Sequence, residues 1–180
     1  MDKLKVYLAG GQQYSKDKGI GWREQITPRL YELGFSVFDP TKHEDFVREK
    51  YGSNWEELTK VDLNARFKLG GELIDFDYEV LKQSAAMLVY WDESAVRGGG
   101  TKSEITWSKQ LDIPCYVVLA EGFTIQDLPL WTCGGIRHMN RVVSDFEVFL
   151  IRLKDEFSWY CNYNNLSPLL TMSKTMGIVT

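Results

Sequence analysis

Short continuous apolar runs alternate along this chain with stretches in which apolar residues return every three or four positions. The first run, Leu4-Lys5-Val6-Tyr7-Leu8-Ala9, has strand length and stops at Gly10-Gly11. Residues 12–19 are polar and read as a loop, after which Trp22, Ile26, Leu30 and Leu33 fall at helical spacing. Pro28 within that pattern predicts a kink, or a restart with Thr27 as cap, and Gly34 predicts the stop. Phe35-Ser36-Val37-Phe38 is a second strand, closed by Asp39-Pro40. Residues 41–70 are charged with scattered aromatics (Phe46, Tyr51, Trp55, Phe67) and predict one or two helices forming a lid or a flank. Leu73, Asp77, Val80 and Leu81 begin a helix running to about Gln83. Ala85–Trp91 is apolar throughout, the mark of a central strand buried on both faces. Glycines 98–100 follow, then a helix over about Thr101–Gln110, a strand over 113–119 and a last helix over Ser144–Lys154.

Strands alternating with helices predict an α/β fold, doubly wound around a mostly parallel, Rossmann- or flavodoxin-like sheet in three layers. A length of 180 residues suits one domain. It is expected to span 1–157, with a helical or loop insertion at about 41–70, and to leave 158–180 as a C-terminal tail. Ligands of such sheets bind beyond the carboxyl ends of the strands. That rim would gather residues 9–16, 39–41, 91–101 and 120–123.

Composition narrows the field mainly by exclusion. A formal charge of -4 argues against a nucleic-acid polymer as partner but leaves a small anionic substrate open, since one or two local cations suffice for it. Cys115, Cys133 and Cys161 are widely spaced, with no CxxC pair and two histidines in the chain, so no metal site is expected. They read as reduced thiols of a cytoplasmic protein. The N-terminus has no signal-peptide pattern, and no apolar run approaches the ~18 residues of a membrane span, so no membrane partner is expected.

The sharpest chemical feature is Gly98-Gly99-Gly100-Thr101-Lys102-Ser103-Glu104, between a buried strand and a helix. Glycines let a ligand approach the backbone and leave N–H groups free at a helix start, while Glu104 would project into the rim. The same residues also spell a capping box, with Thr101 as cap and Glu104 reaching back to it. The spacing fits neither a Walker phosphate loop nor a dinucleotide fingerprint, so no cofactor is expected. Asp77, two residues after Asp75, is a second carboxylate, and Tyr7, Gly10 and Gly11 end the first strand. Asp39, Asp92, Gly99, Gly100, Thr101 and Ser103 complete the expected substrate-binding rim. Tyr14 and Trp22 are candidates to stack on a flat ligand, and Arg23, Arg97 or Lys102 to hold a phosphate.

Taken in order, Tyr7-Leu8-Ala9-Gly10, Trp22-Arg23, Phe38-Asp39-Pro40, Asp77 four residues before Leu81, the strand Met87–Trp91, and Gly100-Thr101-x-x-Glu104 leading to Ile113-Pro114 resemble the nucleoside 2-deoxyribosyltransferase-like family. The resemblance covers roughly residues 4–120. Gly98 stands where some members carry an Asp six residues before the nucleophile, and Ala85 where an Asp usually precedes the central strand. The resemblance implies a doubly wound sheet, a homodimer or higher homo-oligomer, a small nucleoside or nucleotide as partner, and double displacement at an anomeric carbon. It implies Glu104 as nucleophile, Asp77 as the carboxylate handling the base's proton, and Tyr7 as the aromatic that orients the nucleophile.

An oxocarbenium-like state suits a close carboxylate that can trap it as a glycosyl ester, and a leaving base needs an acid of raised pKa. Two alternatives use the same cleft. One is a phosphoribohydrolase related to the lysine-decarboxylase-like proteins, which carry a similar G-T-x-x-E turn. The other is a protein that binds and sequesters a nucleotide without turnover.

Overall fold

The computed structural model describes residues 2–162, with the backbone alone for 43–46. The chain runs β1 (Lys5–Gly10), α1 (Ile20–Glu32), β2 (Ser36–Phe38), α2 (Glu44–Tyr51), α3 (Trp55–Val61), α4 (Leu63–Lys82), β3 (Ala86–Trp91), α5 (Glu93–Arg97), α6 (Gly100–Gln110), β4 (Cys115–Leu119), α7 (Leu130–Ile136), β5 (Val142–Val143) and α8 (Phe146–Glu156). The strands form one sheet in the order β2-β1-β3-β4-β5, and every pairing is parallel. This is the doubly wound α/β class expected from the alternation of patterns. The chain winds outward from β1 to β2 and then from β3 to β5 on the other side. The strand order therefore reverses between β1 and β3, whose ends are in register at Gly10 and Tyr90.

Side chains of a strand alternate between faces, and here the alternation sorts the core into two layers. Val6, Leu8, Ala86, Leu88, Tyr116 and Val118 pack with α1 and α8 through Trp22, Ile26, Leu30, Phe149 and Leu153. Tyr7, Ala9, Met87, Val89, Trp91 and Val117 pack on the other side with Leu81 of α4, Ile105 of α6 and Ile136 of α7. Tyr7 thus faces the layer that holds α4 and α6, the helices carrying the candidate carboxylates.

Several boundaries differ from the sequence-based expectation. Pro28 does not end α1, because Trp22, Ile26 and Leu30 bury a continuous face on the sheet. The helix of Asp77 begins ten residues earlier than Leu73, at Leu63, with the Asp62 side chain accepting from the amides of Asn64 and Ala65. Gly70-Gly71, which breaks the sequence pattern, lies inside it. Residues 41–70 run through the end of a 3-10 turn, α2, α3 and the first part of α4. Past residue 157 the chain is still in the fold: Tyr160 and Cys161 are buried, and the Tyr160 hydroxyl donates to Gly34 O and accepts from Leu4 N. The rest of the expected tail, 163–180, lies outside the described residues.

Candidate active site

The middle of β1 and the facing helices α4 and α6 place three ionisable side chains together on one face of the sheet. Tyr7 is fully buried on β1, and its hydroxyl donates a 2.7 Å hydrogen bond to Glu104 Oε1. Glu104 stands on the second turn of α6 and is only 8% exposed. Asp77, on the last turns of α4, lies close enough to the Tyr7 hydroxyl to be stabilised by it as a carboxylate.

Burial dominates the electrostatics. It raises the Glu104 carboxyl to about 7; the Tyr7 hydrogen bond and Arg23 oppose that rise, and Asp77 adds to it. Burial likewise raises Asp77 to about 6, against the lowering by Tyr7. Burial first, and then the two carboxylates, hold the Tyr7 phenol protonated far above its ordinary range. Tyr7 therefore stays a protonated donor to Glu104 beside two acids raised toward neutrality, a coupled pair in which one group can hold a proton while the other is a carboxylate.

Glu104 does not close a capping box. Gly99 is the helix cap and makes no side-chain cap bond, Thr101 is already helical and buried, and Glu104 turns inward to Tyr7. The hydroxyl of Ser103, on the exposed side, donates to Gly99 O at 3.2 Å. Gly99 and Gly100 are exposed, and a side chain at either would meet nothing within 4 Å. The close approaches are at Gly10 and Gly11 instead. An added Cβ would lie 2.9 Å from the Trp22 ring at Gly10, and 2.2 Å from Ser94 Oγ at Gly11.

Other predicted rim residues have internal partners. Trp22 does not offer an open face: it is 8% exposed and stacks on Tyr90 at 5.4 Å and Phe146 at 6.3 Å. Arg23 is buried with its nitrogens directed at main-chain carbonyls. Asp39 accepts from the amide and hydroxyl of Thr41. Asp92 caps α5 through Ala95 N at 2.8 Å. Lys102 Nζ reaches Val96 O at 2.6 Å. Tyr14 is 44% exposed and carries the Arg97 guanidinium 4.4 Å from its ring centroid, which joins the β1–α1 loop to α5.

Two residues that sequence patterns do not single out also stand at this rim. Trp91, the last residue of β3, and Ser94 in α5 are buried, and Trp91 Nε1 and Ser94 Oγ have no hydrogen-bond partner among the described residues. An unpaired buried donor costs about 1–3 kcal/mol, so these two groups are a local cost to stability at the end of β3. Among the described residues, no three His, Cys, Asp or Glu side chains gather as a metal-binding group, and no helix is long and apolar enough to cross a membrane.

No family model matches the sequence, and no curated protein matches it. Among solved structures, the chain is similar to a 2-deoxyribosyltransferase from the psychrotolerant bacterium Bacillus psychrosaccharolyticus. The TM-score is 0.54 at 17% identity, over 79% of this chain and 88% of that one. At that identity the likeness shows a shared fold.

Proposed function

We propose that this chain cleaves or exchanges the N-glycosidic bond of a nucleoside, deoxynucleoside or nucleoside 5′-monophosphate through a glycosyl ester on Glu104. The observation that carries the proposal is the 2.7 Å bond from Tyr7 to Glu104 beside Asp77, one buried and one half-buried acid, both raised toward neutrality, around one fixed donor. The fold shared with a 2-deoxyribosyltransferase supports it.

In the first step the Glu104 carboxylate attacks the anomeric carbon, an ester bond forms and the C–N bond breaks, with its electron pair leaving on the base nitrogen. Asp77, raised by burial, gives that nitrogen its proton. The Tyr7 hydroxyl, bonded to Oε1, leaves the other carboxylate oxygen to act as nucleophile. In the second step a new base or water attacks the ester, loses its proton to Asp77 and frees Glu104. Since Arg23 and Lys102 bond main-chain carbonyls, a 5′-phosphate would fall to Arg97 and the exposed amides of Gly99 and Gly100. The reading includes a homo-oligomer and a cytoplasmic setting, and needs neither cofactor nor metal.

The test is a panel of ribo- and deoxyribonucleosides and their 5′-monophosphates, incubated with and without a second base, with Glu104→Ala in parallel. New nucleoside made from the added base supports transfer, and free base with free sugar supports hydrolysis. A nucleotide that raises the melting temperature without any turnover would sink the catalytic reading in favour of a binder.

A further inference from the structure

Behind the two carboxylates lies a cation to which the proposed reaction assigns no step. Arg23 is 0% exposed. Its Nη2 donates to Leu8 O and Gly10 O, each at 3.2 Å, and its Nη1 to Gly19 O at 2.8 Å. Its Nε lies 3.4 Å from Asp39 Oδ1 and 3.4 Å from Leu8 O, and the Trp22 ring centroid is 4.3 Å from the guanidinium carbon. Leu8 and Gly10 are among the last three residues of strand β1, Gly19 closes the loop after it, and Asp39 follows β2. One planar group therefore holds both ends of the loop 11–18 and a neighbouring strand end. Gly19, at φ 73°, is shaped to this contact, since an added Cβ would sit 2.5 Å from Arg23 Nη1. Burying a guanidinium beside a single carboxylate costs more than an apolar side chain of that size would, unless the fork and the charge are both used.

We infer that Arg23 is a positioning residue for the Glu104–Tyr7–Asp77 cluster: its fork fixes the β1 end and the loop after it, and sets one buried cation behind the carboxylates. The groups facing Glu104 are Tyr7 from β1, Asp77 from α4, Arg23 from α1 and the neutral Cys115 thiol from β4, which burial pushes up to about 12. Of these, only Arg23 is a cation. Its attraction opposes burial and Asp77, both of which drive Glu104 toward its protonated form.

The inference builds on reading Glu104 as the nucleophile, so its test has readouts that do not need turnover. In protein labelled with ¹³C at Glu side chains, the Glu104 signal is assigned by its loss in Glu104→Gln and followed against pH. Arg23→Gln should move that titration upward, the direction that removal of an opposite charge requires. Arg23→Lys keeps the charge but not the fork. It should titrate as wild type does, while amide exchange over residues 10–19 speeds up and any turnover falls roughly tenfold or more. An unmoved Glu104 titration in folded Arg23→Gln, or wild-type exchange in Arg23→Lys, overturns the inference. Where Arg23→Gln does not fold, Arg23→Lys carries the test by exchange. A wild type without turnover overturns the proposed reaction, and titration and exchange then decide the role of Arg23 by themselves.

Discussion

Glu104 is held against its own preference. Its carboxyl is raised from the ordinary value to about 7, so the folded state binds the proton more tightly than the unfolded chain does. Stability from that difference is complete below the unfolded value near 4.5 and is lost as pH rises through about 7. Glu104→Gln removes the penalty and keeps an acceptor for Tyr7. It should melt several degrees above wild type at pH 8 and close to wild type at pH 4.5, since ~1 kcal/mol is worth about 2–4 °C in a chain of this size. Thermal melts at the two pH values check this, and a lower melting temperature at pH 8 would contradict it. Tyr7→Phe acts in the opposite sense. The hydroxyl lowers both acids, so its loss should raise both. The acid limb of the rate profile would move to higher pH, with kcat down on the order of tenfold to a hundredfold if Tyr7 also orients the nucleophile. An unshifted limb would leave Tyr7 as packing only. The three residues of this cluster were legible in the sequence through the ordered resemblance, and Glu104 also through its place after a glycine run between a buried strand and a helix. Arg23 was legible as a site residue but not in its place. A charge in an amphipathic helix reads as exposed, and only the tertiary fold shows that three carbonyls converge on it.

At the scale of elements, the glycines separate what a pattern reveals from what packing decides. Gly98-Gly99-Gly100 is the most conspicuous feature of the sequence, yet Gly99 and Gly100 have open space around them. Gly10, Gly11 and Gly135 draw less notice but sit where elements touch. At Gly135 an added Cβ would lie 2.5 Å from Ile105 Cγ2, which lets α7 pack on α6. Gly11→Ala should therefore cost about 1–3 kcal/mol, because Ser94 and the backbone around it would have to move. Gly99→Ala, at a right-handed helical conformation, should fall within about half a kcal/mol of neutral. Urea unfolding of both variants measures the contrast, and equal effects would mean that the rim backbone yields more readily than its contacts imply. The same reasoning explains why α4 was read short. Two glycines interrupt the apolar spacing, while the Asp62 cap and the packing of Leu69 and Leu81 carry the helix through them.

Among the described residues, part of α4 is left uncovered. Leu63, Phe67 and Ile74 are 65%, 79% and 55% exposed. Their spacing puts them on one side of the helix, with Gly70-Gly71 flat between them. The stripe is balanced about that glycine pair: Phe67 and Ile74 lie equally far from it, as do Leu63 and Tyr78. A second copy crossing antiparallel on a twofold axis would seat Phe67 on the other copy's Ile74, with the glycines permitting close approach. Lys68 and Asp75 are exposed on the same flank, and that symmetry brings each near the other's counterpart. The homo-oligomer contained in the proposed function is thus expected to form through α4, the helix that carries Asp77. Light scattering across micromolar concentrations should give a dimer for the wild type and a monomer for Phe67→Glu. Lys68→Glu should weaken association roughly tenfold, and Lys68→Glu with Asp75→Lys should restore it, because a charge exchange on one symmetric flank re-forms both pairs. A wild-type mass of one chain at every concentration would overturn this interface. So would a double variant no stronger than Lys68→Glu alone.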